Sequence, residues 1–211
     1  MRGGERVRLI GIDAPEIGHD GAPDKPYAQA ATDELKRALA MSAWSVRIVP
    51  GRQRFDRYGR ELVHLYDRSG HNLSERLLSL GLAYQVTIPP NDRFRTCYQE
   101  AESGARRHGR GLWRLPPLDA AKLPPDAEGF ARLEGQVRKV RVGARAAWID
   151  LAGALKLRIA ADDLTRFDLS DLSALSGARV EVLGWIYRFR GKPRIRVRDP
   201  SALRRIAPAA D

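Results

Sequence analysis

Two short stretches hold the residues whose types and spacing suit chemistry on a phosphate. In the first, Arg8 opens an apolar run, Leu9-Ile10-Gly11-Ile12, that ends in Asp13-Ala14-Pro15-Glu16. In the second, Tyr58-Gly59-Arg60 sets another arginine on a tight turn. Two guanidinium forks can clamp a phosphate, because their N–H groups match its oxygens and stabilise the extra charge of a five-coordinate phosphorus. Asp13 is a hard oxygen donor of the kind calcium takes, and Glu16, standing back from it, can polarise an attacking water. Pro15 fixes the backbone between the two acids as the strand ends. An isolated Asp-x-Pro-Glu more often only solvates a turn. Joined to Arg8 and Arg60, it completes a minimum set for cutting a phosphodiester.

These residues need elements to hold them. Residues 5–12 read as one strand entering a core. Asp24, with Pro26 in the first turn, opens a helix that runs to about Met41. Residues 45–49 and 62–66 are short strands, joined by the polar stretch 51–60 that carries Arg57, Tyr58 and Arg60. Asn72-Leu73-Ser74-Glu75 is a capping-box start for a short helix that Gly81 ends. Asn91 or Asp92 caps a last helix to about His108, followed by Gly111-Leu112-Trp113. This order is α+β and does not form a parallel βαβ array.

The proline-rich stretch 117–129 reads as a linker between a first domain, 1–116, and a second, 130–207. Five strand candidates follow, at 132–142, 147–151, 155–159, 179–190 and 193–197, with a short helix near 169–175. Five strands with a helix between the third and fourth suggest a second, mostly-β, OB-like barrel. Near its end Arg188, Arg190, Lys192, Arg194 and Arg196 recur at every second residue, with Gly191-Lys192 read as the turn. That spacing places the charges on one side of a hairpin. Trp185, Tyr187 and Phe189 alternate with them. Two readings stay open: a surface that grips single-stranded nucleic acid, or a solvated edge that resists aggregation with the aromatics in the core.

The chain of 211 residues carries 37 basic and 26 acidic side chains, a net charge of +11. Both parts share it, with 19 basic against 14 acidic residues in 1–116 and 18 against 12 in 117–211. Such an excess points to a polyanionic partner, DNA or RNA before an anionic membrane. The lone Cys97 excludes an internal disulfide and a cysteine-based zinc cluster, and the four histidines lack metal-ligand spacing. No apolar run reaches membrane-spanning length, the opening Met1-Arg2-Gly3-Gly4 does not read as a signal peptide, and nothing indicates an oligomer.

At Arg8, Asp13-Ala-Pro-Glu16 and Tyr58-Gly-Arg60 the chain resembles the staphylococcal nuclease (thermonuclease) family. Residues 27–39, Asn72-Leu-Ser-Glu75 with Gly81-Leu82-Ala83, and Gly111-Leu112-Trp113 extend the likeness over about 3–114. The resemblance implies an OB-type small β-barrel with three helices and a calcium-dependent nuclease that hydrolyses DNA or RNA with low sequence specificity. Carried over, Arg8 and Arg60 contact the scissile phosphate, and Asp13 with the Ala14 carbonyl binds calcium. Glu16 is the general base, and Arg57 and Tyr58 meet the terminal phosphate. The family's N-terminal hairpin, with its Asp-Gly-Asp-Thr and second calcium carboxylate, is expected to be lacking ahead of Arg6. The competing expectation is a non-catalytic nucleic-acid-binding protein that keeps the fold.

Overall fold

The computed structural model describes residues 6–124 and 126–206, which divide into two compact units that meet in sequence at Leu115 and Pro116. The expected absence of a hairpin ahead of Arg6 lies outside the described residues.

In the first unit the chain runs β1 (Val7–Leu9), β2 (Ile12–Asp13), α1 (Ala28–Met41), β3 (Arg47–Phe55), β4 (Glu61–Tyr66), α2 (Leu73–Ser79), β5 (Tyr84–Gln85) and α3 (Arg95–Arg107), ending in a 3-10 turn, Gly111–Arg114. Strand β4 lies between β1 and β3, parallel to β1 with Arg8 opposite Leu62 and antiparallel to β3. Strand β2 pairs instead with β5, Asp13 opposite Tyr84. The expected single strand over 5–12 is therefore broken in two, and Gly11 is the reason. Its φ of +84° suits glycine, and a Cβ there would stand 2.2 Å from the Tyr98 ring. The chain turns at Gly11 because Tyr98 occupies the space a side chain would need, and that turn carries Asp13 to a different partner strand.

Two further expectations are corrected. Asp24 does not open α1: its carboxylate accepts from the Gly18 N–H at 2.8 Å, and the helix starts at Ala28 without a side-chain cap. Neither Asn91 nor Asp92 caps α3, whose N-cap is Phe94. The Asn91 amide, holding both a donor and an acceptor, instead clips the Gln53 backbone through two bonds of 2.9 and 3.0 Å. Asn72 does cap α2, accepting from Ser74 and Glu75. The helices close the core: Ile12, Leu77, Leu78, Ala83 and Tyr98 form one buried cluster, and Ala38, Val63, Leu65 and Leu73 another. Buried Glu34 on α1 binds Arg37 and reaches Arg76 on α2, and these two guanidiniums hold its carboxyl below its usual range against the cost of burial.

The second unit contains β6 (Leu118–Asp119), a 3-10 turn Ala120–Lys122, β7 (Gly129–Gly143), β8 (Ala146–Leu151), β9 (Lys156–Ala160), α4 (Ala161–Leu164), α5 (Leu169–Ser173), β10 (Arg179–Phe189), β11 (Lys192–Arg196), a 3-10 turn Pro200–Ala202 and β12 (Leu203–Ile206). Strands β7, β8, β9, β11 and β10 pair in that circular order and close on β7, with β9 and β11 parallel. This is a closed five-stranded, OB-like barrel, its interior filled by Leu133, Val137, Ile149, Leu157, Val180, Ile186 and Ile195 among others. Part of the stretch expected as linker is built into it. Leu118 and Asp119 pair with β7, and Ala120 is buried in its core.

Candidate active site

Arg8 sits on β1 and Asp13 at the end of β2, so the Gly11 turn brings back over the strand the acid that follows it. Arg8 Nη2 donates to Asp13 Oδ1 at 2.6 Å and to the Ile12 carbonyl at 3.3 Å. The carboxylate is largely enclosed, 13% exposed, against 33% for the arginine. Burial pushes the Asp13 carboxyl up, and the hydrogen bond and charge of Arg8 only partly pull it back. Glu16 lies beyond Pro15 in an open position, 79% exposed, with Lys25 Nζ 3.3 Å from its carboxylate. The Lys25 N–H also donates to the Glu16 carbonyl, fixing the loop that carries the acid.

Arg60 comes from the turn that leads into the strand paired with β1. It precedes β4, two residues before Leu62, which is the partner of Arg8. Asp56 organises its turn, accepting from the N–H groups of Tyr58 at 2.8 Å and Arg60 at 3.0 Å, and from Arg60 Nε at 2.7 Å. Burial raises the Asp56 carboxyl, but these bonds outweigh it and hold the group below its usual range. Tyr58 is exposed, with the Arg57 guanidinium 4.7 Å and the Arg60 guanidinium 5.5 Å from its ring centroid. Of the four expected residues, Arg8 and Asp13 are in contact with each other, while Arg60 is held by Asp56 and Glu16 by Lys25. Asp56 and Lys25 were not singled out as supports in the sequence. Asp56 stood four residues before Arg60, at the head of an Asp-x-x-Gly turn, which is a readable signal.

The hairpin of the second unit departs from expectation. Its turn is Arg190-Gly191, both with positive φ (51° and 74°), and Lys192 belongs to the strand. Phe189 then faces Lys192 and Tyr187 faces Arg194, so residues of equal parity on the two strands lie on opposite faces. Lys192, Arg194 and Arg196 point outward. Arg188 instead shares the face of the buried Ile186–Ile195 pair, and Arg190 is on the turn. The aromatics are not in the core either: Phe189 is 45% and Trp185 38% exposed. Cys97, on α3, is exposed.

Residues 6–115, just over half of the chain, match the family described as staphylococcal nuclease homologue. The chain belongs to that family. The match ends where the first unit does, at Leu115. As a staphylococcal nuclease homologue the chain is 34% identical over 109 residues to the Thermonuclease of Staphylococcus intermedius, covering 52% of this chain and 63% of that protein. It is 30% identical over 109 residues to the Thermonuclease of Staphylococcus hyicus, with the same shares. Over 119 residues it is 35% identical to the "Probable endonuclease LCL3" of Paracoccidioides lutzii, covering 51% of this chain and 33% of that one. The chain thus spans less than two thirds of the length of these curated relatives.

Calcium takes about six to eight oxygen ligands. The donors at the end of β2 have the right chemistry, since the Asp13 carboxylate and the Ala14 carbonyl are hard oxygens. Among the described residues no group of three or more His, Cys, Asp or Glu is placed to hold a metal ion. The described protein ligands would thus be one carboxylate and one carbonyl. No helix among the described residues is long and apolar enough to cross a membrane.

Proposed function

We propose that this chain is a calcium-assisted nuclease that hydrolyses phosphodiester bonds of DNA or RNA with low sequence specificity. The observation that carries the reading is the Arg8–Asp13 pair at 2.6 Å, set at the end of β2 within a staphylococcal nuclease homologue domain. Arg8 and Arg60 bind the non-bridging oxygens of the scissile phosphate and stabilise the charge that builds there. Glu16, open to solvent, takes the proton of the water that attacks phosphorus as the bond to the 5′ oxygen breaks. Asp13 and the Ala14 carbonyl would hold the calcium ion, which when bound supplies Lewis-acid polarisation of the phosphate. Arg57 and Tyr58 contact the terminal phosphate of the nucleotide.

A second reading, a non-catalytic nucleic-acid-binding member of the family, is favoured by one observation. The Asp13 carboxylate, part of no group of three or more such ligands among the described residues, is already engaged by Arg8. The two readings separate in a cleavage assay on a labelled oligonucleotide with calcium or with chelator. A nuclease cuts only with calcium, and Asp13→Ala abolishes cutting. Arg60→Lys, which keeps the charge but loses the bidentate fork, lowers turnover about 100-fold, while Arg52→Lys changes it little. Binding without any cleavage would select the second reading, and full cleavage by Asp13→Ala in chelator would remove the calcium mechanism.

A further inference from the structure

The closed barrel of the second unit lays out two rows of side chains on its outer face, one residue per strand. In one row Arg141 on β7 is opposite Trp148 on β8, Trp148 opposite Arg158 on β9, and Arg158 opposite Arg196 on β11. In the other, Lys139, Asp150, Lys156, Arg194 and Tyr187 follow one another from β7 to β10. At the usual strand separation the first row, over four strands, is roughly 14 Å long and the second, over five, roughly 19 Å. The inner faces of the same strands carry the buried Ile149, Leu157 and Ile195, so the alternation leaves these rows outward.

The charges are unequally answered. Asp150 takes both Arg141 and Lys156, and Asp163 takes Arg196. No carboxylate among the described residues pairs with Lys139, Arg158, Arg190, Lys192 or Arg194. Arg194 is instead held by rings, its guanidinium 4.3 Å from the centroid of Phe189 and 4.9 Å from that of Trp148. Its Nε–H is buried and donates to no partner among the described residues. The Arg158 guanidinium approaches Trp148 from 5.9 Å, and that of Arg190 approaches Phe189 from 5.5 Å. A guanidinium fixed between aromatic rings keeps its full charge, where one fixed by an acid would be neutralised.

We propose that this face, centred on Trp148, Arg194 and Phe189, binds single-stranded nucleic acid, with phosphates along the unanswered cations and bases stacked on the aromatic groups. Charge selects an anion, and the exposed Phe189 and half-buried Trp148 rings beside arginines select one with flat faces to stack, which unpaired bases offer and a closed duplex does not. The surface keeps Lys192 and Arg194 of the basic hairpin, leaves out Arg188 and the acid-bound Arg196, and adds Trp148 and Arg158 from strands far away in sequence. It goes beyond the proposed cleavage and does not rest on it.

The test uses the full chain in chelator, so that cleavage cannot contribute. Binding of a fluorescein-labelled 20-nucleotide oligo-dT is read by anisotropy, with the matching duplex and anionic phospholipid vesicles as competitors. Trp148→Ala and Arg194→Gln should each weaken binding about tenfold or more. Arg205→Gln, an equal charge loss on β12, should change it less than twofold. If Trp148→Ala does not fold, as judged by thermal melting, Phe189→Ala at an exposed position carries the same expectation. Parent-like binding by the Trp148 (or Phe189) and Arg194 variants overturns the proposal. So does an equal loss from Arg205→Gln, or competition by duplex or vesicles as effective as that by the single strand. Failure of the nuclease reading would appear separately, as an unaltered cleavage rate for Arg60→Lys.

Discussion

Arg8 has two claimants, the Asp13 carboxylate it already holds and the phosphate it is proposed to bind. The structure makes the first a costly arrangement, because burial raises the Asp13 carboxyl despite the ion pair. A carboxyl whose folded pKa lies above its unfolded value destabilises the fold once ionised, so stability is lost as pH rises through the folded pKa. Asp13→Asn should therefore abolish cleavage while leaving the melting temperature at neutral pH unchanged or higher. A drop of several degrees would mean that the ion pair is a net structural asset. Asp56 makes the opposite case, since it fastens the Arg60 turn with three bonds and contacts no proposed substrate position. Asp56→Ala should lower kcat/KM roughly 10- to 100-fold, as loss of orientation does. Asp56→Asn, which can still accept the two backbone N–H groups, should lose less, and equal losses would put the ion pair rather than the turn in charge. The reactive residues were legible because arginine and acid types at fixed spacing are chemical statements in themselves. Their supports were less so: Lys25 reaches Glu16 across nine residues of loop, which no periodicity encodes.

At the scale of elements, strand positions could be read and the break at Gly11 could not, because its cause, Tyr98, lies on a helix near the far end of the domain. Gly11→Ala meets both a positive φ and a ring 2.2 Å from the new methyl, so it should cost about 2–4 kcal/mol and displace Asp13. Denaturant midpoints and cleavage rates should fall together; unchanged stability would mean the ring can move aside. Tyr98 also joins a buried polar knot, its hydroxyl 2.8 Å from His64 Nδ1 and accepting from Asn72 Nδ2 at 3.0 Å. Burial first, and then the charge of Arg93, lower His64 to about 4, while the Tyr98 hydroxyl is pushed up to about 12. The imidazole is neutral when folded and protonates near its ordinary 6.5 when unfolded. Stability from this site is thus full above that pH and is lost as pH falls toward 4, by about 3 kcal/mol. Urea midpoints of the parent and His64→Gln between pH 7.5 and 4.5 isolate the effect. The parent should lose that much more than the variant, and parallel curves would exclude His64 as the source.

For the whole molecule, composition and pattern distinguish the two units, and the proline-rich stretch marks their junction in sequence. They could not show that Leu118–Asp119 is a strand, since two residues between prolines and a turn carry no alternation. They also misassigned the hairpin faces, because the every-second-residue rule holds along one strand and inverts across a two-residue turn whose position was one residue off. The charge excess itself was legible, and the structure turns it into something measurable. Much of it is internally answered: Glu134 takes Arg179, Glu181 takes Arg132, and Asp163 takes Arg196. Binding to a polyanion should then depend on the cations left over rather than on the net charge of +11. Each phosphate neutralised on a single strand contributes about 0.7 to the slope of log affinity against log salt. Replacing Arg158, Lys192 and Arg194 together by glutamine should reduce the magnitude of that slope by about 2. Replacing the ion-paired Arg132, Arg179 and Arg196 instead removes the same formal charge and frees Glu181, Glu134 and Asp163, so its effect on the slope should be smaller and its effect on the melting temperature larger. Measured with a single-stranded oligonucleotide in chelator between 50 and 300 mM salt (roughly the range over which counterion release governs affinity), equal slope changes from the two triple variants would mean that the protein presents only bulk charge. Unequal changes would locate its affinity in the cations that the fold leaves without an acid.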